Sequence, residues 1–413
     1  MAVFKPFPAV RPRSEYCART LCPPYDVVSR TEAAEWSADP VSFMRVTRTD
    51  AALPEEMEYS SESYELSGSI FHDMLAEGIY FQDVTPHYYI YSETFGEHTQ
   101  TGIVGCASID EYDNGIIKQH EKTFPSKETD RILHFSACGA NTEPVFLTYR
   151  DDDHIRQMTT RIMEEGSPDY QAEDSSGVIH RLWCVKDDSA NLLLEQMFLD
   201  VNALYIADGH HRTASAVKVG HLKRESFPQY TGEEEFNRFM AVAFPESDLL
   251  ILPYNRLIKE LKGLSPEELL DGIRKVADLH HSEDGGAPLQ STHCFKIYIN
   301  GSWHTAAFHP DLIDEDDPVK SLDVSLLQDY ILAPLLGIRD PRTDPLLSFS
   351  GGINSTEQMV LAVDSGKAAA AILLHPITVR DMMKVADNGM IMPPKSTWFE
   401  PKIGSGWFIH RID

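Results

Sequence analysis

Basic residues are scarce in this chain: 36 lysines and arginines stand against 64 aspartates and glutamates in 413 residues, a formal net charge of −28. A surface that follows a nucleic-acid backbone needs an excess of Lys and Arg, so nucleic-acid partners are excluded as a class. Nucleotide binding is not excluded, because it needs only a few local donors and usually a magnesium ion. Long apolar runs are also missing. Nothing approaches eighteen consecutive apolar residues, so no membrane span is expected. The opening residues Met1-Ala2-Val3-Phe4-Lys5-Pro6 lack the apolar centre of a signal peptide. Cysteine is sparse, with six residues (17, 22, 106, 138, 184 and 294) and no Cys-x-x-Cys pair. Free thiols in a reducing compartment are the simplest account, which makes a cytoplasmic protein the expectation. No His-Glu-x-x-His, Walker-type glycine loop or Gly-x-Ser-x-Gly occurs either, so a zinc hydrolase, P-loop enzyme or serine hydrolase of those types is not expected.

What is present is globular in character: 42% hydrophobic and 10% aromatic residues, in a chain long enough for two or three lobes. The acidic runs Asp151-Asp152-Asp153 and Asp314-Glu315-Asp316-Asp317 read as solvated surface. Ser29-Arg30-Thr31-Glu32 is a capping box before a helix, and Ser61 to Gly78 carries apolar residues at helical spacing. Tyr88–Glu93 and Thr101–Ile109 read as strands around Gly96, and His293–Asn300 with Trp303–Phe308 as a hairpin about Asn300-Gly301. Ser265-Pro266-Glu267-Glu268 starts another helix, and Thr356–Ser365, Ala368–Leu374 and Thr378–Asn388 read as helix, strand, helix. The class expected is α+β, mixed sheets with flanking helices. The lobes are placed at 1–105, 106–245 and 246–413.

The densest chemistry lies in Leu204-Tyr205-Ile206-Ala207-Asp208-Gly209-His210-His211-Arg212-Thr213-Ala214. An apolar strand ends at a glycine turn, and a helix starts immediately after it. That geometry aims backbone N–H groups and the positive end of a helix dipole into one small space, which suits phosphate. Asp208, His210, His211 and Arg212 crowd the same turn. An ordinary polar strand-to-helix turn is the bland alternative, and four reactive side chains in one apolar-flanked turn weigh against it.

Three further segments stand out. Lys118-Gln119-His120-Glu121-Lys122-Thr123 offers Glu121 as a general base for a hydroxyl, with His120 beside it, although exposed His-Glu pairs are common. Pro393-Pro394-Lys395-Ser396-Thr397-Trp398-Phe399 presents a lysine and two hydroxyls on a stiff loop, either an anion cradle or a polar turn. Cys22-Pro23-Pro24-Tyr25-Asp26-Val27 is fixed by two prolines and reads mainly as structural. His134, His180 and His375 read as core or surface residues rather than ligands.

Taken together, Pro23-Pro24-Tyr25-Asp26-Val27, His120-Glu121-Lys122-Thr123, Asp130-Arg131, Ala207 to Arg212 and Pro394-Lys395-Ser396-Thr397 resemble the DUF1015 family over essentially the whole chain. The Asp-Gly-His-His-Arg turn is similar to that of the ParB/sulfiredoxin-like superfamily, and within it the order of segments resembles the archaeal free serine kinases. Gln119 stands where those kinases have a proline, and Ser396 where they have a threonine. The chain also carries an N-terminal lobe they lack. The resemblance implies a ParB/sulfiredoxin-like nucleotide-binding core and a kinase that phosphorylates the hydroxyl of free L-serine, with Mg2+ and with ATP or ADP as donor. It implies Glu121 as general base, Asp208 as assistant or magnesium ligand, and His211 on the transferring phosphate. Gly209, His210, Arg212 and Thr213 would serve the nucleotide phosphates, with Arg212 mainly bracing the turn. His120, Lys395, Ser396 and Thr397 would serve the substrate, and a homodimer is expected. A sulfiredoxin-type reaction lacks its cysteine here. A ParB-like nucleotide switch would need a basic DNA-reading module, and a catalytically silent nucleotide-binding regulator would keep Gly209 without turnover.

Overall fold

The computed structural model describes residues 1–352 and 355–413. The chain divides into two compact units, one made of Met1–Leu249 with Pro401–Asp413 and the other of Leu250–Glu400.

The first unit is built on one mixed sheet. Its strands are β1 (Phe4–Lys5), β2 (Tyr89–Phe95), β3 (His98–Ser108), β4 (Ile117–Lys118), β5 (Val145–Tyr149), β6 (Tyr170–Glu173), β7 (Ile179–Cys184), β8 (Leu204–Asp208) and β9 (Arg238–Pro245). They lie in the order β4-β8-β5-β9-β3-β2-β7-β6, with β1 paired to β3. β8 runs parallel to β4 and antiparallel to β5, while β9 runs parallel to β5 and antiparallel to β3. The middle strands β5 and β9 are buried along their whole length, which is why both read as continuous apolar runs rather than alternating ones.

Six helices of seven or more residues accompany the sheet: α1 (Arg30–Trp36), α2 (Ser61–Ala76), α3 (Pro125–Cys138), α4 (Asp153–Glu165), α5 (Asp188–Asp200) and α6 (His210–Ser226). The capping box expected at Ser29 is present, with Ser29 and Glu32 satisfying one another's backbone N–H. Phe4, Ile103, Leu147, Phe198, Ile206 and Phe239 centre the core on the sheet. A second core gathers Phe43, Met44, Phe71 and Tyr80 with Ile409. α2 packs on α3, and α3 on α6. At Gly68 the α2–α3 approach is so close that a Cβ would lie 2.3 Å from the carbonyl oxygen of Ala137.

Residues 401–413 return to this unit rather than to the second. Val10 and Ile409 exchange backbone hydrogen bonds (2.9 and 3.0 Å), and Trp407 Nε1 donates to the carbonyl of Cys17 (2.8 Å).

The second unit holds β10 (Leu250–Leu252), β11 (Asn255–Ile258), α7 (Pro266–Ile273), β12 (Ala277–His281), β13 (Cys294–Ile299), β14 (Ser302–Phe308), β15 (Leu347–Ser350), α8 (Ser355–Asp364), β16 (Ala370–Leu374), α9 (Val379–Asp387) and β17 (Trp398–Glu400). Six of these strands form a sheet in the order β12-β14-β13-β16-β11-β15, and β10 pairs separately with β17. The Asn300-Gly301 hairpin joins β13 and β14 as expected.

Three expectations need correcting. The boundary placed at residue 105 falls inside β3, which pairs along its length with β2 and β9, so residues 1–105 and 106–245 share one sheet. The final lobe, placed at 246–413, gives up its last thirteen residues to the first unit. The Asp151-Asp152-Asp153 run is not merely solvated: Asp152 caps α4, its carboxylate accepting from the N–H groups of His154 (2.9 Å) and Ile155 (3.0 Å). Among the described residues no helix is long and apolar enough to cross a membrane.

Candidate active site

The strand, turn and helix expected around Asp208 are β8, Gly209 and α6. The β8–β5 register shifts between Ile206 and Asp208, and this irregularity ends the strand at the acidic residue. Gly209 takes φ +90°, a conformation that strains any residue with a Cβ. A side chain there would also meet the Arg212 guanidinium at 3.0–3.2 Å. Gly209 supplies no side-chain cap to the 17-residue helix α6, so the first-turn N–H groups and the positive helix end are left for an anion.

Asp208 is fastened on both oxygens. Oδ1 accepts from its neighbour's backbone at Gly209 (2.8 Å), and Oδ2 pairs with Lys402 Nζ (2.9 Å). Burial works against its charge, but Lys402 and Arg212 outweigh burial and hold the carboxyl well below the usual range. Burial likewise disfavours the Lys402 cation, and Asp208 more than restores it.

The segment from β4 lies against this turn. The His120 backbone N–H donates to His210 Nε2 (3.4 Å), and the two rings meet edge to face with centroids 4.5 Å apart. His210 Nδ1 faces Glu121 Oε2 at 3.8 Å. Burial drives both imidazoles to the neutral form, His120 down to about 3 and His210 to about 4. Both ring nitrogens of His120 are buried without a hydrogen-bond partner. The Glu121 side chain keeps about a third of its exposure (34%), enough to be met by a small molecule.

His211 points the other way. Its Nε2 accepts from the Phe124 backbone N–H (3.0 Å), and its ring stacks on Phe124. Nδ1 must therefore carry the proton of the neutral ring. Burial, then Lys127, lowers its affinity for a second proton. His211 also walls a cavity of about 780 Å³.

Arg212 is buried, and its Nη1 donates to the carbonyl of Pro144 (2.5 Å), beneath the glycine turn. Thr213 is buried too, its hydroxyl turned inward to the Gly209 carbonyl (3.0 Å). Glu143 Oε1 accepts from the Tyr25 backbone (3.0 Å) and from Ser405 Oγ (2.9 Å), while the Arg131 guanidinium lies over the Tyr25 ring at 4.0 Å. Asp26 acts electrostatically on Arg212, His211 and Lys402.

The structure thus brings His120, Glu121, Asp208, Gly209, His210, His211, Arg212 and Thr213 into one place. His120 and Thr213, expected at the substrate and at the phosphates, have side chains closed off from solvent. Lys395, Ser396 and Thr397 belong to the second unit. There Lys395 takes φ +57° with its ammonium 5.5 Å from the Tyr254 ring centroid, and Ser396 Oγ donates to the carbonyl of Pro393 (2.6 Å). Sequence reasoning missed Lys402 altogether and left Asp26 as structural. Nothing near Lys402 in the chain marks it, whereas Asp26 sat in a stretch already noted for its stiffness. Among the described residues no group of three or more His, Cys, Asp or Glu side chains could hold a metal ion.

No curated protein matches the chain. Among solved structures it is similar to a free serine kinase in complex with AMP, at 12% identity over 72% of this chain and 86% of that one, with a TM-score of 0.36. A conserved hypothetical protein from Pyrococcus furiosus is similar at 12% identity over 75% and 95% of the two chains, with a TM-score of 0.37. C-terminally truncated SbnI from Staphylococcus aureus is similar at 11% identity over 74% and 86%, with a TM-score of 0.40. All three likenesses are loose. The family whose model matches residues 4–325 is described as "Protein of unknown function (DUF1015)", and the chain belongs to it.

Proposed function

We propose that this protein is a cytoplasmic nucleotide-dependent kinase that phosphorylates the hydroxyl of a small molecule, free L-serine being the first acceptor to test. The observation that supports this most is the convergence at one uncapped helix start of an ionised Asp208, an accessible Glu121 and a lysine, Lys402. Phosphoryl transfer is mostly positioning and charge neutralisation, so few groups are needed. In this reading the first turn of α6 holds the donor phosphates, with Lys402 beside them. Glu121 removes the acceptor's hydroxyl proton. The acceptor oxygen then bonds to the terminal phosphorus, and the bond from that phosphorus to its bridging oxygen breaks. The electron pair leaves with the nucleotide, ATP yielding ADP or ADP yielding AMP.

Magnesium would neutralise phosphate charge. Asp208 is the carboxylate placed to hold it, and with both its oxygens already engaged it fits an ion carried in by the nucleotide rather than a resident one. The substrate roles of Lys395, Ser396 and Thr397 and the ParB/sulfiredoxin-like description of the core rest on the sequence resemblance, and the oligomeric state is open, a homodimer being one outcome.

Incubation of the purified protein with Mg–ATP or Mg–ADP and hydroxy amino acids, followed by mass spectrometry for O-phosphoserine, tests the reading. No phosphorylated product with either donor sinks it. A nucleotide-binding regulator without turnover is the second reading, favoured by one observation: Lys402 already occupies Asp208.

A further inference from the structure

The first unit contains a cavity of about 780 Å³, lined by His211, by residues from the 25–28 and 46–67 stretches and by the first three turns of α3. That volume lies in the range of pockets that enclose whole small-molecule ligands, and it is far more than free serine would fill. Its walls carry charges of both signs, but most are already satisfied within the protein. Arg48 is held by both oxygens of Asp50 (2.9 and 3.0 Å) and donates to the carbonyls of Tyr25 (3.1 Å) and Val28 (2.9 Å). Asp130 accepts from Arg131 Nε (2.9 Å) and from the Tyr64 hydroxyl (2.8 Å).

Three charged walls remain outside these pairs: Asp26, Glu58 and Lys127. The Tyr59 phenol hydrogen-bonds to Glu58, and that bond, with burial and the carboxylate's charge behind it, pushes the phenol's ionisation up. Two carboxylates against one ammonium disfavour a polyphosphate and favour a ligand bearing a positive group. Ser63 and Ser126 add hydroxyls for a polyhydroxylated body, while Thr129 donates its own to the Pro125 carbonyl (2.9 Å). Asp26 and His211 connect the cavity electrostatically to the Asp208–Arg212 turn.

We infer that this cavity is the acceptor site, and that the acceptor is an amino-bearing alcohol larger than free serine. The inference rests on the kinase reading for its reaction but not for its binding. It gives the N-terminal helices a purpose, since residues 46–67 build much of the wall.

The test uses the full chain with Mg–ATP or Mg–ADP and four acceptors: L-serine, seryl-glycine, glucosamine and, as the ammonium-free match, glucose. Seryl-glycine or glucosamine is expected to be phosphorylated at least tenfold more efficiently than serine, and glucose poorly. Equal or better use of serine or glucose overturns the inference. Glu58→Gln is expected to raise the acceptor KM about tenfold while nucleotide Kd stays within twofold. Thr129→Trp, which fills the cavity from an exposed position, is expected to do the same. A change in nucleotide Kd with the acceptor KM unmoved would assign the cavity to the nucleotide instead, and no change in either would leave it without a role. Should no acceptor be phosphorylated, calorimetry with glucosamine decides: Glu58-dependent binding keeps the site while the kinase reading falls, and absence of binding ends both.

Discussion

Lys402 Nζ sits 2.9 Å from Asp208 Oδ2, although the two residues are 194 positions apart in the chain. The lysine arrives on a segment fixed on either side: Gln100 Nε2 donates to the Pro401 carbonyl (3.2 Å), the Gly404 N–H to the Tyr91 hydroxyl (3.2 Å), and Ser405 and Cys22 exchange backbone hydrogen bonds. The backbone on both sides of Lys402 is therefore anchored, and the ammonium itself is held by Asp208.

Lys402→Met should cost about 2 kcal/mol of stability, because it leaves a half-buried carboxylate with less compensation. Urea unfolding measures this. Under the kinase reading the same change should weaken ADP or ATP binding at least tenfold and adenosine binding hardly at all. Equal losses for adenosine and ADP would show that Lys402 is not at the phosphates.

Glu121→Gln keeps the shape of the side chain and removes its basicity. Turnover should fall by about 10²–10⁴-fold with nucleotide affinity nearly unchanged. Single-turnover kinetics beside a nucleotide titration separates the two. Surviving activity would move the base elsewhere, Asp26 being the next carboxylate toward the cavity.

Gly209→Ala should be destabilising by about 1–3 kcal/mol, since φ +90° is strained for alanine and the new Cβ presses on Arg212. Thermal denaturation reports the first effect. Loss of nucleotide binding beyond what the stability change explains reports the second, through displacement of the helix start.

Beneath the 401–405 segment lies a buried group with a pH dependence of its own. Glu93 is fully buried, and burial pushes its carboxyl up to about 7, against the opposing pull of His180, Gln100 and Tyr91. The folded state thus holds this proton more tightly than the unfolded chain does. The sign follows: Glu93 contributes a stability term that is full below about 4.5 and lost as pH rises through about 7, on the order of 3 kcal/mol. His210, lowered to about 4, works in the other direction, its contribution falling as pH drops below about 6.5. Comparing Glu93→Gln with the unaltered protein across pH 4–8 isolates the first term. The variant should lose the decline toward neutral pH, and parallel curves would refute the assignment.

Much of this fold could be read locally. Ser29, Ser265 and Thr378 announce helices through reciprocal caps, and Asn300-Gly301 announces its hairpin, because each signal lies within a few residues. The β8–Gly209–α6 turn was legible for the same reason. The helices α3 and α4 were not: α3 begins at Pro125 with no side-chain cap, and α4 carries its cap inside an acidic run that looked like surface. Lobe boundaries failed for a different cause. β3 is paired by strands from both directions of the chain, and pairing partners leave no trace in the spacing of one strand's own residues. Lys402 is the extreme case, a contact defined wholly by where the chain returns.

That return orders events in time as well as in space. Asp208, Gly209 and the start of α6 are made before any of residues 250–400, and Lys402 only after all of them. During synthesis the acidic turn must wait, its carboxylate helped only by Arg212 and the Gly209 N–H, until residues 250–400 have been made and Lys402 can follow. The turn is a lock whose last pin is cut at the end, so a chain interrupted anywhere within the second unit would carry the motif and not the finished site.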